Sequence, residues 1–151
     1  MARNGARKDN QDQDLRIYII HGPAEYEEAR HLRDEISQLL HMQATLTEDI
    51  QAKPRVLAGM RRELQKADII IALLTPLSVK APGVLEQVGG AWVLKKRIIP
   101  VITAREVLNG APESIADSPL VVEARAGLDA KARRKVIDRL DQVIASALIS
   151  A

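Results

Sequence analysis

The sequence predicts an α/β fold of three layers around a five-stranded parallel sheet, in the strand order 2-1-3-4-5. Three observations lead there. Short apolar runs alternate along the chain with segments of helical period. One run, "DIIIALLT" at 68–75, is apolar at consecutive rather than alternate positions, as a strand covered by helices on both faces must be. There are five such runs, which suits a doubly wound sheet closed by a C-terminal helix.

The elements follow in order. Residues 1–14 carry three basic and three acidic side chains and almost nothing apolar, and read as a mobile tail ahead of one domain at 15–151. "LRIYIIHG" is a β-rich run ending at Gly22, the first strand. Ala29, Leu32, Ile36 and Leu39 then recur at three- and four-residue steps, the inner stripe of an amphipathic helix. "QATLT" supplies a second strand and "EDIQAK" a polar loop, with Pro54 suited to the first turn of a helix whose inner side is Leu57, Met60, Leu64 and Ala67. After the third strand, Leu85, Val88 and Trp92 mark a helix leading into "RIIPVIT". A loop with one helical turn at "AREVLNG" precedes an edge strand in "PLVVEA", and Ala132, Val136, Leu140, Val143 and Ala147 define the last helix.

Composition narrows the function. The chain has 151 residues, enough to bury a core without metals or disulfides. Cysteine is absent, so no thiolate nucleophile, disulfide or zinc–thiolate centre is available, and no metal is expected. No apolar run approaches the roughly 20 residues that span a bilayer. The polar start, "MARNGARKDNQDQD", does not read as a secretory signal, so the expected location is the cytoplasm, with no membrane partner. A net charge of +2 with both signs interspersed argues against nucleic acid as a direct partner. With no Phe, and only Tyr18, Tyr26 and Trp92 as aromatics, a base-stacking platform is not expected. The basic cluster "KARRK" at 131–135 reads as a solvated helix face.

In a sheet of this order, ligands bind beyond the carboxyl ends of the strands, where the order reverses beside strand 1. The segments placed there are "HGPAE", "EDIQAKPR" and "TPLSVKAPGVLEQ". They exclude several chemistries. A phosphoacceptor receiver needs an Asp where Thr75-Pro76 stands, and a flavin phosphate loop needs hydroxyls that "HGPAEYEE" lacks. Neither a Walker loop nor GxGxxG is present, and Ser78 has no nucleophile-elbow context.

The segments "YIIHGPAEYEEARHLRDEI" and "RRELQKADIIIALLTPLSVKAPGVLEQVGGAWVLKKRIIPVI", with the closing strand and helix, resemble a bacterial TIR (Toll/interleukin-1 receptor) domain over residues 15–148. The resemblance implies a flavodoxin-like fold, self-association with other TIR domains, and cleavage of NAD+ at the nicotinamide–ribose bond in a bacterial defence or cell-death response. NAD+ would be the substrate, with no separate cofactor, and an activating protein or nucleotide signal would act upstream. In such domains the catalytic Glu lies five residues before the Trp of a Gly-x-Ala-Trp element. Counting back from Trp92 gives Gln87, with Glu86 as its charged neighbour and fallback. The nearby position often held by Trp is Gly83.

Nicotinamide leaves as a neutral molecule, so the bond breaks without protonation of the leaving group, but oxocarbenium charge develops on the ribose. A fixed carboxylate stabilises that charge; an amide of the same shape does not. Gln87 therefore predicts a site that holds a nucleotide but turns it over weakly. One helical step is about 100°, which points Glu86 away from the direction of Gln87 and toward solvent. His21, Gly22 and Pro23 after strand 1, Glu48, Asp49 and Arg55 in the loop after strand 2, and Thr75 and Gly83 complete the expected binding residues. Arg61 and Arg62 are cations within a helix that read as surface charge, and Trp92 reads as core. Two other functions fit the same segments: a non-enzymatic TIR–TIR assembly module, and an enzyme resembling nucleoside deoxyribosyltransferases, which also act on an N-glycosidic bond.

Overall fold

The computed structural model describes residues 15–47, 56–81, 83–109 and 111–150. Its five strands are β1 (Ile17–Ile20), β2 (Ala44–Leu46), β3 (Ile69–Leu74), β4 (Arg97–Ile102) and β5 (Val122–Glu123). All pair in parallel, in the order β2-β1-β3-β4-β5. The helices are α1 (Tyr26–Leu40), α2 (Val56–Lys66), α3 (Val84–Val93), the single turn α4 (Glu113–Ala116) and α5 (Ala130–Ser150). This is the predicted three-layer fold.

Strand β3 explains the layering. All six of its residues are buried. Ile69, Ile71 and Leu73 face α1 and α5, where they meet Leu32, Ile36, Val136 and Leu140. Ile70, Ala72 and Leu74 face α2 and α3, where they meet Leu64, Val84, Val88 and Ala91. Period-2 alternation sends neighbouring side chains into opposite layers, so a strand with no polar face needs both layers filled.

Two details of the edges follow from local chemistry. Helix α1 stops at Leu40 because His41 adopts a left-handed backbone, φ 55°, and its N–H closes the last turn onto the Ser37 carbonyl at 3.0 Å. Strand β5 is short where β4 carries Pro100. The Ile102 carbonyl accepts from Ala124 N–H at 2.7 Å, so Pro100, of the same parity, turns its missing donor toward the β5 edge. Pairing with β5 begins only at Val101.

The structure corrects two inner stripes. Leu39 is exposed, and Leu40 packs on the core instead. In α3 the buried line is Val84, Gln87, Val88 and Ala91, which leaves Leu85 52% and Trp92 47% exposed. Small residues decide this: a Cβ at Gly90 would come within 3.3 Å of Leu64 Cδ1, so the helix rests its glycine side against α2. Trp92, one step beyond Ala91, turns outward and donates its indole N–H to Ser114 Oγ at 2.7 Å. The helical turn expected near residue 105 is a 3-10 turn at Arg105–Leu108, and α4 follows it unforeseen. In the "KARRK" cluster, Arg133 departs from a solvated face by pairing with Glu35 across to α1 at 2.6 Å. Leu57 and Ala147 have side chains outside those described, as do all of residues 1–14.

Because Ile71 is fully buried on the central strand, truncating it to Ala should cost about 2–5 kcal/mol of unfolding free energy. The check is urea denaturation at unchanged slope. A loss under about 1 kcal/mol would mean that this layer is not closed as described.

Candidate functional site

The carboxyl ends of β1 and β3 carry a group of buried polar side chains. Tyr18 points from β1 into the α2/α3 layer, where a phenol needs a hydrogen-bond partner. It finds one in Gln87: the phenol donates to the amide oxygen of Gln87. The Gln87 Nε2 donates to the Gly83 carbonyl at 3.1 Å, the same carbonyl that accepts the Gln87 backbone N–H at 3.0 Å. Gly83 O can only accept, so the amide has one satisfactory orientation, nitrogen toward Gly83 and oxygen toward Tyr18. Gln87 is 4% exposed, a sealed amide rather than a surface one. Its acceptor oxygen, expected to face a ligand, instead accepts from Tyr18.

Gly83 opens α3 with φ 89° and ψ −18°. That left-handed geometry suits glycine and would strain a bulky residue such as Trp. Glu86 is exposed, one helical step from Gln87 as expected. It lies on the rim of an apolar depression of about 440 Å³ between α2 and α3, whose lining includes Met60, Leu64, Gly83, Gln87 and Val93. Arg61 borders the same depression, and both it and Arg62 are exposed.

A second group surrounds the end of β1. His21 is 2% exposed, with Nδ1 2.8 Å from the Gly22 carbonyl and its backbone N–H donating to Thr47 Oγ1 at 3.3 Å. Thr47 Oγ1 donates to the Ile19 carbonyl at 3.2 Å and lies 3.4 Å from the Tyr18 hydroxyl, so the ends of β1 and β2 are tied beside the Tyr18–Gln87 pair. Pro23 is exposed and opens a 3-10 turn, Pro23–Glu25, that buries Glu25. Thr75 Oγ1 donates to Glu25 Oε2 at 3.1 Å and accepts from Ser78 N–H at 2.9 Å. Ser78 Oγ donates to the Leu73 carbonyl at 2.9 Å and accepts from Thr75 N–H at 2.8 Å, a turn-closing role that does not involve an imidazole.

Of the expected binding residues, then, His21, Gly22, Pro23, Thr75 and Gly83 lie at the carboxyl ends of β1 and β3 or at the start of α3. Glu48, Asp49 and Arg55 fall outside the described residues. Two side chains escaped sequence reasoning. Tyr18 looked like one more apolar strand residue, and Glu25 like one of several acids opening a helix. Only the topology, which brings residue 18 to 87 and residue 25 to 75, reveals them. Among the described residues no three His, Asp or Glu side chains converge as a metal ion would require. No described helix is long and apolar enough to cross a membrane.

No protein-family model and no curated protein matches the chain. Among solved structures the fold is shared with one described as the CMP N-glycosidase BcmB of Clostridium botulinum. That likeness has a TM-score of 0.54 at 16% identity, over 85% of this chain and 98% of the other. At that identity it speaks for the α/β fold alone.

Tyr18→Phe removes the only described donor to a buried amide oxygen and should cost about 1–3 kcal/mol. Thermal or urea unfolding reads this directly, and a neutral result would show that the bond contributes nothing. Gly22→Ala should also destabilise, since its Cβ would lie 2.9 Å from Glu25 Oε1 and 3.1 Å from Ser78 Cα. Recovery of that loss in a Gly22→Ala/Glu25→Ala double variant would assign the strain to the carboxylate, and an additive loss would assign it to the backbone.

Proposed function

We propose that this chain is a TIR-type nucleotide site acting on an N-glycosidic bond, an NAD+ nucleosidase of a bacterial defence or cell-death response, weakened by Gln87. The observation that supports this reading is the Gln87 side chain, buried at the switch point and held by Tyr18 from the adjacent strand. A phenol donor aimed at residue 87 suits a carboxylate at least as well as an amide, and a hydrogen bond to a charged acceptor is the stronger of the two. The fold likeness to a protein described as a CMP N-glycosidase accords with N-glycosidic chemistry on such a sheet.

A Gln87→Glu variant would keep the shape of this side chain and add a charge. Tyr18 remains a donor to one carboxylate oxygen. The other oxygen has no proton for the Gly83 carbonyl and turns away from it, toward the depression between α2 and α3. A ribose bound beside it would then have a negative charge to stabilise its oxocarbenium-like transition state. NAD+ would enter from the carboxyl end of the sheet, with its ribose near residue 87.

A second reading, TIR–TIR assembly without catalysis, has its own observation. Leu85, Trp92, Val93 and Leu94 leave large apolar surfaces exposed on α3 and just beyond it, and Leu77 adds another before the helix. A third, deoxynucleoside cleavage of the deoxyribosyltransferase kind, uses the same N-glycosidic logic with a different sugar.

The deciding assay is nicotinamide release from NAD+ at high protein concentration. Gln87→Glu should exceed the parent chain on the order of 10²-fold or more. Equal turnover by both would move the chemistry off position 87. Absence of turnover and of NAD+ binding in both, with concentration-dependent self-association, would favour assembly. Cleavage of a deoxynucleoside but not of NAD+ would favour the third reading.

A further inference from the structure

Glu25 is a carboxylate in an expensive position. It is 7% exposed, at the carboxyl end of β1 beside the end of β3. One oxygen, Oε2, accepts from the Thr75 hydroxyl at 3.1 Å. The other, Oε1, is buried with no hydrogen-bond partner. No ion pair to Glu25 is found among the described residues. A buried carboxylate with a single neutral donor lowers stability relative to a neutral or apolar side chain. Its neighbours nevertheless make room for it: Gly22 has no space for a Cβ, because Glu25 Oε1 and the Ser78 backbone already fill that volume. A buried polar atom left without a partner calls for an explanation, and a ligand that supplies the missing donor is one.

The geometry points to Glu25 as the anionic group that a ligand meets here, accepting hydrogen bonds from the vicinal hydroxyls of a ribosyl group. Among the described residues its side-chain partner is the neutral Thr75 hydroxyl, and hydroxyl donors of a ligand would extend the same kind of bonding to Oε1. The side chain is covered at rest. The terminal torsion of a glutamate is broad, so a partial rotation about it would present a carboxylate oxygen to a ligand without backbone rearrangement. Gln87 is less suited to this role, since its amide carries no charge and Tyr18 already donates to its oxygen. The choice of ribose as the sugar rests on the nucleotide reading above; the need of Glu25 for a donor does not.

The test uses the intact chain and two sugar phosphates, ribose 5-phosphate and 2-deoxyribose 5-phosphate, titrated by NMR alongside NAD+. Wild-type protein should prefer the ribose compound by roughly tenfold, the scale of one hydrogen bond to a charged group. Glu25→Gln should abolish that preference while unfolding at the same temperature or higher. Equal affinity for the two sugars in the wild type, binding of neither at millimolar concentration, or a preference that survives Glu25→Gln overturns the inference. The wild-type comparison decides even if the variant misfolds. NAD+ separates the two readings. Sugar discrimination without NAD+ binding keeps the Glu25 site and removes the nucleotide assignment. NAD+ binding that is unchanged in Glu25→Gln does the reverse.

Discussion

Everything in this fold follows from a strand that has no polar side. Strand β3 sends Ile69, Ile71 and Leu73 one way and Ile70, Ala72 and Leu74 the other, and all six are buried. Neither face can be left to water, so a helical layer must form on each. Parallel neighbours joined through helices are the arrangement that provides both. Helices α1 and α5 close one layer, α2 and α3 the other. The strand order then reverses at β1, which has β2 on one side and β3 on the other. The connections leaving β1 and β3 pass to opposite layers, which leaves room beyond their carboxyl ends.

The ends of these strands carry buried polar groups whose bonds cross between elements. Tyr18 of β1 reaches Gln87 of α3, Thr47 after β2 reaches the backbone of β1, and Thr75 after β3 reaches Glu25 in the turn after β1. Each joins segments at least 26 residues apart in the chain. Such bonds order the edge of the sheet, and a buried polar network in low dielectric rewards complete satisfaction and penalises any gap. Tyr18 and Gln87 belong to a satisfied part of it. Glu25, with one oxygen unpartnered, is the gap.

Much of this was legible in the sequence, and the rest was not, for identifiable reasons. The consecutive apolar run at 69–74 predicts a doubly covered strand because no other half-buried element tolerates it. The register of α3 was ambiguous because "VLEQVGGAWVL" offers two apolar lines one helical step apart. The small residues Gly90 and Ala91 selected the line that excludes Trp92, and sequence periodicity weighs large side chains more than small ones. The switch point pointed to "HGPAE" and "APGVLEQ" as segments, but pairwise geometry chooses the atoms within them. Nothing local distinguishes Glu25 from Glu27 or Glu28. Burial does, and burial depends on Gly22 and on the turn at Thr75–Ser78.

The two candidate site positions divide the work a single carboxylate would do. On the proposed reading, position 87 lacks the carboxylate that such chemistry uses, and position 25 offers a carboxyl group one turn away from the strand end. An amide sealed between Tyr18 and Gly83 is not a vacant catalytic position, because replacing it exchanges two satisfied hydrogen bonds for one bond and a charge. That exchange lowers the ground-state stability of the site while adding the electrostatic term that a ribosyl cation needs. A chain carrying Gln87 keeps a well-ordered sheet edge and forgoes that term. Glu25 would, on the proposed reading, supply an anionic contact to the ligand, and that contact would offset the cost of its burial. Such a site, on the proposed nucleotide reading, would hold its ligand more firmly than it cleaves it.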